Sequence, residues 1–234
     1  MAIKDNFKDL TTYVASTGFF DKIKITSSSK ETLIESMDKG KEVILKGQFN
    51  KPIDDLEGEF GLSNLSLLQT ITNDPEFTAK ESTMTVMYEN KAEGKVPTEL
   101  AYENKSHSHI NYRFMAKQLV PDQPKFNEPK WDVVIAPSKS NVQQFTWAAN
   151  GLAAYEQYFI PRIVDGTLKF FIGEDSASTQ RGGVVLSTDR TEKFDGDHKW
   201  KIQLVQSVLK IGDSCDCEMS FSSKGAIQIK LRSE

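Results

Sequence analysis

Two stretches of this chain carry the same helix signature, 135 positions apart: "KDNFKDLTTYVASTGFF" from Lys4 and "SKSNVQQFTWAANGLAAY" from Ser138. Asn6, Phe7, Leu10 and Thr11 of the first recur as Asn141, Val142, Phe145 and Thr146 of the second. A second echo lies deeper in each half. Phe60, Leu62, Leu65, Leu68 and Ile71 return 140 positions later as Trp200, Ile202, Val205, Val208 and Ile211. In each set the first two members are spaced by two, as on a strand, and the rest by three, as along one side of a helix. Both sets therefore read as a strand leading into a short helix, the first capped by Ser63 or Asn64. Two such echoes in the same order point to duplication, so the chain must fold as two copies of one plan.

The boundary between the copies is "LVPDQPKFNEPK", Leu119 to Lys130. Its three prolines deny it a helix or an inner strand, which leaves an extended connector (119–130) between an N-terminal domain (1–118) and a C-terminal domain (131–234). Most of the remaining sequence is strand-like, with hairpin turns expected at Lys39–Gly40 and Asp165–Gly166. Each half thus reads helix, strands, helix, strands, an α+β class with two helices packed on antiparallel sheets.

Each helix has an apolar and a polar side. Phe7, Leu10 and Val14 form the first stripe, with Lys4, Lys8 and Thr11 elsewhere. Val142, Phe145, Ala149 and Leu152 form the third helix's stripe, opposed by Lys139, Gln143, Thr146 and Asn150. The fourth helix is expected to bury Val205 and Val208 and leave Gln206 and Lys210 outward. These outward faces are basic or amide-bearing and poor in bulky residues apart from Trp147. Taken singly, each is compatible with an ordinary solvated helix surface.

Composition narrows the function classes. A net charge of −4 is not that of a generic DNA-binding domain. No apolar run reaches membrane-spanning length, and "MAIKDNFKDL" lacks the apolar core of a secretion signal, so a cytoplasmic protein is expected. Cys215 and Cys217 share one strand face and suggest reduced thiols, not a disulfide. No phosphate-cradling glycine loop, nucleophile elbow or zinc-ligand set is present, so neither an enzyme nor a cofactor is expected. His107 and His109 would share a strand face but lack a third ligand. The carboxylates of "DDLEGE", Asp54 to Glu59, read either as a magnesium site or as a solvated strand entry, the latter preferred. The acids of "GEDSAS" and "KFDGDH" fall in turns.

The wording of the second half resembles the DNA polymerase sliding clamp of T-even-type phages. "NVQQFTWAANGLA", "IVDGTLKFFI" and "WKIQLVQSVLKIGDSCDCEMSFSSKG" carry the likeness, together with the proline-rich connector and "LSNLSLLQTITNDPEF" in the first half. The hairpin region "NKAEGKVPTELAYENKSHSH" is longer than that family needs, and the helices carry fewer basic residues than its pattern suggests. The resemblance implies two clamp domains per chain in a ring around duplex DNA, located in the host cytoplasm for a phage protein. It implies a tether for the replicative polymerase, a clamp loader, and late-transcription factors as further partners.

Helix dimensions set the subunit count. At about 10 Å per helix, eight helices leave an opening of roughly 15 Å and twelve leave roughly 28 Å. A duplex is about 20 Å across, with grooves roughly 8 Å deep. Four helices per chain therefore call for a homotrimer. On this reading Lys4, Lys8, Lys139 and Lys210 face DNA, with Gln143 and Gln206 making water-mediated contacts. Val120, Pro121 and Phe126 of the connector, lying on the second domain's sheet, either border a partner-peptide site or only hold the connector down. A β-rich virion component without DNA encirclement, or a carbohydrate-binding module, are the competing classes.

Overall fold

The computed structural model describes residues 3–77, 79–91, 94–121, 123, 126–174, 180–194, 197–212 and 216–232. The chain divides into two compact units, Met1–Phe126 and Asn127–Glu234, which meet inside the proline-bearing segment.

The first unit opens with helix α1 (Ile3–Tyr13), followed by strands β1 (Lys22–Ser27), β2 (Thr32–Met37), β3 (Ile44–Gln48) and β4 (Gly58–Ser63). Helix α2 (Leu65–Thr72) and strands β5 (Thr83–Lys91), β6 (Gly94–Glu103) and β7 (His109–Arg113) complete it. The first four strands form an antiparallel sheet in the order β3-β2-β1-β4; the last three form a second, β5-β6-β7. β1 alternates buried Ile23 and Ile25 with more exposed lysines, the period-two pattern of a strand with one face in the core. All five apolar residues of the first strand–helix echo, Phe60, Leu62, Leu65, Leu68 and Ile71, are buried.

The second unit contains β8 (Val133–Ile135), α3 (Lys139–Leu152), β9 (Tyr158–Val164), β10 (Thr167–Ile172), β11 (Gly182–Ser187), β12 (Trp200–Lys201), α4 (Ile202–Ile211), β13 (Asp216–Ser222) and β14 (Ala226–Arg232). Its four-stranded sheet runs β11-β10-β9-β12, the same connectivity as the first unit's. The duplication read from the sequence is thus a duplication of topology. The three-stranded sheets differ: β7 joins the outer side of the β5–β6 hairpin, whereas β8 joins the inner side of the β13–β14 hairpin, giving β14-β13-β8. Each four-stranded sheet ends on an outer strand, β3 or β11, that pairs with a single neighbour within its sheet.

The second core centres on Phe145, Phe159 and Phe170, all fully buried. Phe159 and Phe170 stack at 4.3 Å, and Phe145 meets both edge-on at 5.5 and 5.3 Å. Burial of each ring contributes about 1.5–3 kcal/mol, which fixes α3 on its sheet. Ser138 and Asn141 form a reciprocal capping box at the start of α3, and Asn141 also donates to the Val185 carbonyl on β11 at 3.1 Å.

The local expectations meet different outcomes. Asp165 and Gly166 form the two-residue turn of the β9–β10 hairpin, both at positive φ, as a type I′ turn demands. Lys39–Gly40 does not form such a turn. β2 and β3 are joined by a longer loop in which the Asp38 carboxylate accepts from the amides of Gly40, Glu42 and Val43. Asn64 occupies the N-cap of α2 in a left-handed conformation, and its carbonyl, not its side chain, accepts the Leu67 amide. His107 lies at positive φ in the β6–β7 turn beside Glu103, so the two imidazoles do not share a strand face. Among the described residues no group of three ligating side chains assembles. Glu59 of the acidic stretch pairs with Lys24 and Lys117. Cys215, residues 175–178 and Asp195–Gly196 lie outside the described residues; Cys217 is half-buried on β13.

Candidate nucleic-acid interface

Each unit packs its two helices side by side. In the first, Thr11 of α1 and Thr72 of α2 are both buried, and their hydroxyls share a hydrogen bond of 2.8 Å. Thr11 therefore belongs to the helix seam and not to the outer face expected for it. In the second unit the seam is closed by Gln206 of α4, whose Nε2 donates to Asn150 Oδ1 at 3.0 Å on α3. α4 buries Ile202, Val205 and Leu209, and Val208 is only half-buried. α4 begins at Ile202, the equivalent of Leu62 within β4; Val205 keeps the buried place of Leu65, while burial passes from Val208, the equivalent of Leu68, to its neighbour Leu209.

The outward faces remain polar. α1 exposes Asp5, Lys8 and Thr12; α2 exposes Ser66, Leu67 and Thr70. α3 exposes Lys139, Ser140, Gln143, Gln144, Trp147 and Asn150, and α4 exposes Gln203 and Lys210. The charge distribution is uneven. α2, α3 and α4 contain no acidic residue, although the chain has 33 Asp and Glu. The four helices together hold four lysines and two aspartates, net +2 in a chain of net −4. Both aspartates lie on α1. Burial, then the neighbouring Asp5, push the Asp9 carboxyl above its ordinary range, while Lys8 opposes the shift.

The lysines and amides assigned from sequence divide into two groups. Lys8, Lys139, Gln143 and Lys210 are exposed. Lys4 is tied back, its ammonium donating to the Ala79 carbonyl at 2.7 Å and to Ser82 Oγ at 3.2 Å, so it anchors α1 to the segment before β5. Gln206 is likewise committed to the α3–α4 seam. Lys139 also borders a cleft of about 370 Å³, where Lys230 and Arg232 face Asp216 and Glu218, a mixed set of charges without a catalytic arrangement.

The connector departs from expectation in a different way. Val120 is buried, and it packs in the first unit, not on the second domain's sheet. The cause is Gly61 on β4. A Cβ there would lie 2.4 Å from Val120 Cγ2, so only glycine leaves the groove that Val120 fills. The segment is held further by a two-way backbone bridge between Gly61 and Met115 and by Gln123, whose Nε2 donates to the Leu45 carbonyl at 2.9 Å. Pro121 and Phe126 are exposed, and so is Leu119, at 61%. Sequence reasoning missed Leu119 because nothing local tells which of two adjacent apolar residues turns inward.

The structure thus defines a duplicated α+β protein whose two helix pairs present acid-poor outer faces. Its fold is that of the DNA sliding clamps. It is similar to a chain of PCNA from A. fulgidus in complex with the C-terminal region of FEN-1, with 9% sequence identity, a TM-score of 0.66, and 99% of this chain and 96% of that one covered. It is also similar to Thermococcus kodakaraensis PCNA, with 10% identity, a TM-score of 0.65, and coverage of 100% and 97%. The PCNA2–PCNA3 complex of Sulfolobus tokodaii matches with 13% identity, a TM-score of 0.63, and coverage of 100% and 92%. No protein-family model matches the chain, and no curated relative does.

Proposed function

We propose that this protein is a sliding clamp, three copies of which close a ring around duplex DNA and tether a replicative polymerase to its template. The observation that carries this reading is the clearance of acidic residues from α2, α3 and α4 in an acidic chain with the clamp fold. A helix layer facing DNA must avoid repelling phosphate, while the rest of the surface is free to be negative. Encirclement holds the DNA topologically, so the three exposed helix lysines, Lys8, Lys139 and Lys210, supply weak, salt-sensitive attraction without reading sequence. The trimer reading rests on helix width, since twelve helices, four from each of three chains, leave an opening wide enough for a duplex and eight do not. Each sheet has two terminal strands, β3 and β11 among them, and ring closure would pair such edges between chains. The sequence resemblance supports a phage setting, with a clamp loader and late-transcription factors as partners.

The test is retention on DNA. Loaded on a nicked circular duplex, the protein should stay bound through a high-salt wash and leave when the circle is linearised. Retention that is indifferent to linearisation, or none at all in the presence of a cognate loader, would overturn the reading. Sedimentation equilibrium at micromolar concentration should give the mass of three chains.

A further inference from the structure

Trp147 is 78% exposed in the middle of α3, where an indole has no structural task. Its neighbours one turn away are Gln143 and Gln144 on one side and Asn150 and Gly151 on the other, all uncharged. Among the described residues it makes no ring contact and no hydrogen bond. The duplication supplies an internal control. The equivalent residue of α1 is Thr12, also exposed, whose hydroxyl only donates to the Lys8 carbonyl at 2.9 Å. The same helix therefore folds without an aromatic at this place. Gly151 adds an independent observation. A Cβ there would meet nothing within 4 Å, and its φ is not positive, so neither packing nor backbone conformation requires glycine. Residue 151 thus contributes no side chain that could cover the indole.

We propose that Trp147 stacks on an unpaired base of a DNA strand and so favours single-stranded or junction DNA beside the α3 face. This deepens the clamp reading and rests on it, since that reading turns the outer face of α3 toward DNA. Phosphate is the wrong ligand, because the one lysine on this helix, Lys139, lies eight residues away, roughly 12 Å along the axis. A continuous duplex is also wrong. It hides its base faces, and inserting an indole would cost the stacking of a base step and resist sliding. An unpaired base presents a free π face, whatever its identity. Gln143, Gln144 and the NH2 group of Asn150 offer hydrogen bonds to base edges, while Gln206 occupies the Asn150 carbonyl.

The chain has three tryptophans, so a W131F/W200F variant reports on Trp147 alone. Its emission and its quenching by acrylamide are measured with oligothymidylate and with a duplex of equal length. Oligothymidylate should quench the emission and shield the indole, and the duplex should do neither. W147A should weaken oligothymidylate binding by roughly 5- to 150-fold, the equivalent of about 1–3 kcal/mol, and W147F should recover part of the loss. Unchanged emission and accessibility with oligothymidylate would overturn the proposal. So would equal shielding by the duplex, or shielding by polymerase without DNA, which would mark a protein contact. Retention on circular DNA, measured in parallel on the wild type, separates the two readings. Retention without shielding leaves the clamp reading standing and removes only the role of Trp147.

Discussion

Thr11 Oγ1 and Thr72 Oγ1 lie 2.8 Å apart in the seam between α1 and α2, joining the two helices of the first domain through a hydroxyl–hydroxyl hydrogen bond. Each hydroxyl also reaches a carbonyl of its own helix, Lys8 and Gln69 respectively. Because a hydroxyl has one proton, one threonine donates across the seam while the other donates within its helix. Replacing Thr11 alone by Val should cost about 1 kcal/mol, since the buried Thr72 hydroxyl loses its partner across the seam and keeps only the Gln69 carbonyl. The double Thr11→Val, Thr72→Val variant should lose less than the sum of the two single changes. Urea denaturation of the four proteins measures the coupling, and simple additivity would remove the bond from the account.

Gly61 and Val120 form the second critical pair. A methyl group at residue 61 collides with a branched, buried side chain, so Gly61→Ala should destabilise the first domain by about 1–3 kcal/mol. Val120→Ala should also destabilise alone, by leaving a void on β4. Combined, the two changes should partly cancel, because the alanine at 61 occupies space that the smaller side chain vacates. A double-mutant cycle reads this directly. A combined loss equal to the sum would show that Val120 is not seated in the Gly61 groove.

These pairs show where the sequence is legible and where it is not. The repeat was readable because core-facing residues recur at fixed spacing, and the four-stranded sheets follow from that order. The placement of β7 and β8 on opposite sides of otherwise matching hairpins was not readable, since the pairing is decided between distant residues. Lys4 looked like its neighbour Lys8 on helical spacing, yet its ammonium finds Ala79 and Ser82, more than seventy positions away. The signal for Val120 existed, in the glycine between Phe60 and Leu62 of a buried strand, but it marks a close approach without naming the partner. Trp147 was visible as the one bulky residue on a polar face; its exposure had to be seen.

Glu59 provides a test by pH. Its hydrogen bond to Lys117, at 2.6 Å, is the main reason its carboxyl sits below the ordinary range, with Lys117 and Lys24 adding charge attraction and burial opposing. A carboxyl depressed in the folded state stabilises above its unfolded pKa, and the contribution disappears as pH falls through the folded value. The effect should therefore be constant near neutrality and fade from about pH 4.5 downward. Because the side chain is 35% exposed, solvent screening holds it below about 1 kcal/mol. Glu59→Gln should flatten this part of the acid limb in denaturation curves at stepped pH. An unchanged slope would dissociate Glu59 from acid stability.

The lysines should separate by readout. Lys8, Lys139 and Lys210 are exposed, so changing all three to Glu should leave stability within about 0.5 kcal/mol for each site. The same variant should load on DNA and stimulate polymerase less than the wild type, and the difference should be largest at low ionic strength, because fewer phosphate contacts flatten the salt dependence. Lys4→Met should behave in the opposite way, lowering stability through the lost contacts to Ala79 and Ser82 while sparing DNA binding. Thermal melts with loading assays on the circular duplex distinguish the two classes. Normal loading by the folded triple variant at low ionic strength would clear these residues of any DNA role.

The connector carries the last prediction. Val120 and Gln123 fasten it to the first domain, while Leu119, at 61% exposure, and Phe126, at 42%, leave apolar surface outward. On the proposed clamp function, exposed apolar anchors beside fastened residues would suit capture of a short peptide tail from a polymerase or clamp loader. Leu119→Ala and Phe126→Ala should each weaken binding of the cognate polymerase's C-terminal peptide about tenfold, with unchanged melting temperature. Val120→Asp should act differently, because a carboxylate forced against Gly61 unseats the connector, lowering stability and peptide affinity together. Isothermal titration alongside thermal melts distinguishes contact from scaffold. Full affinity in both alanine variants would confine the connector to a structural role and move peptide capture to another surface.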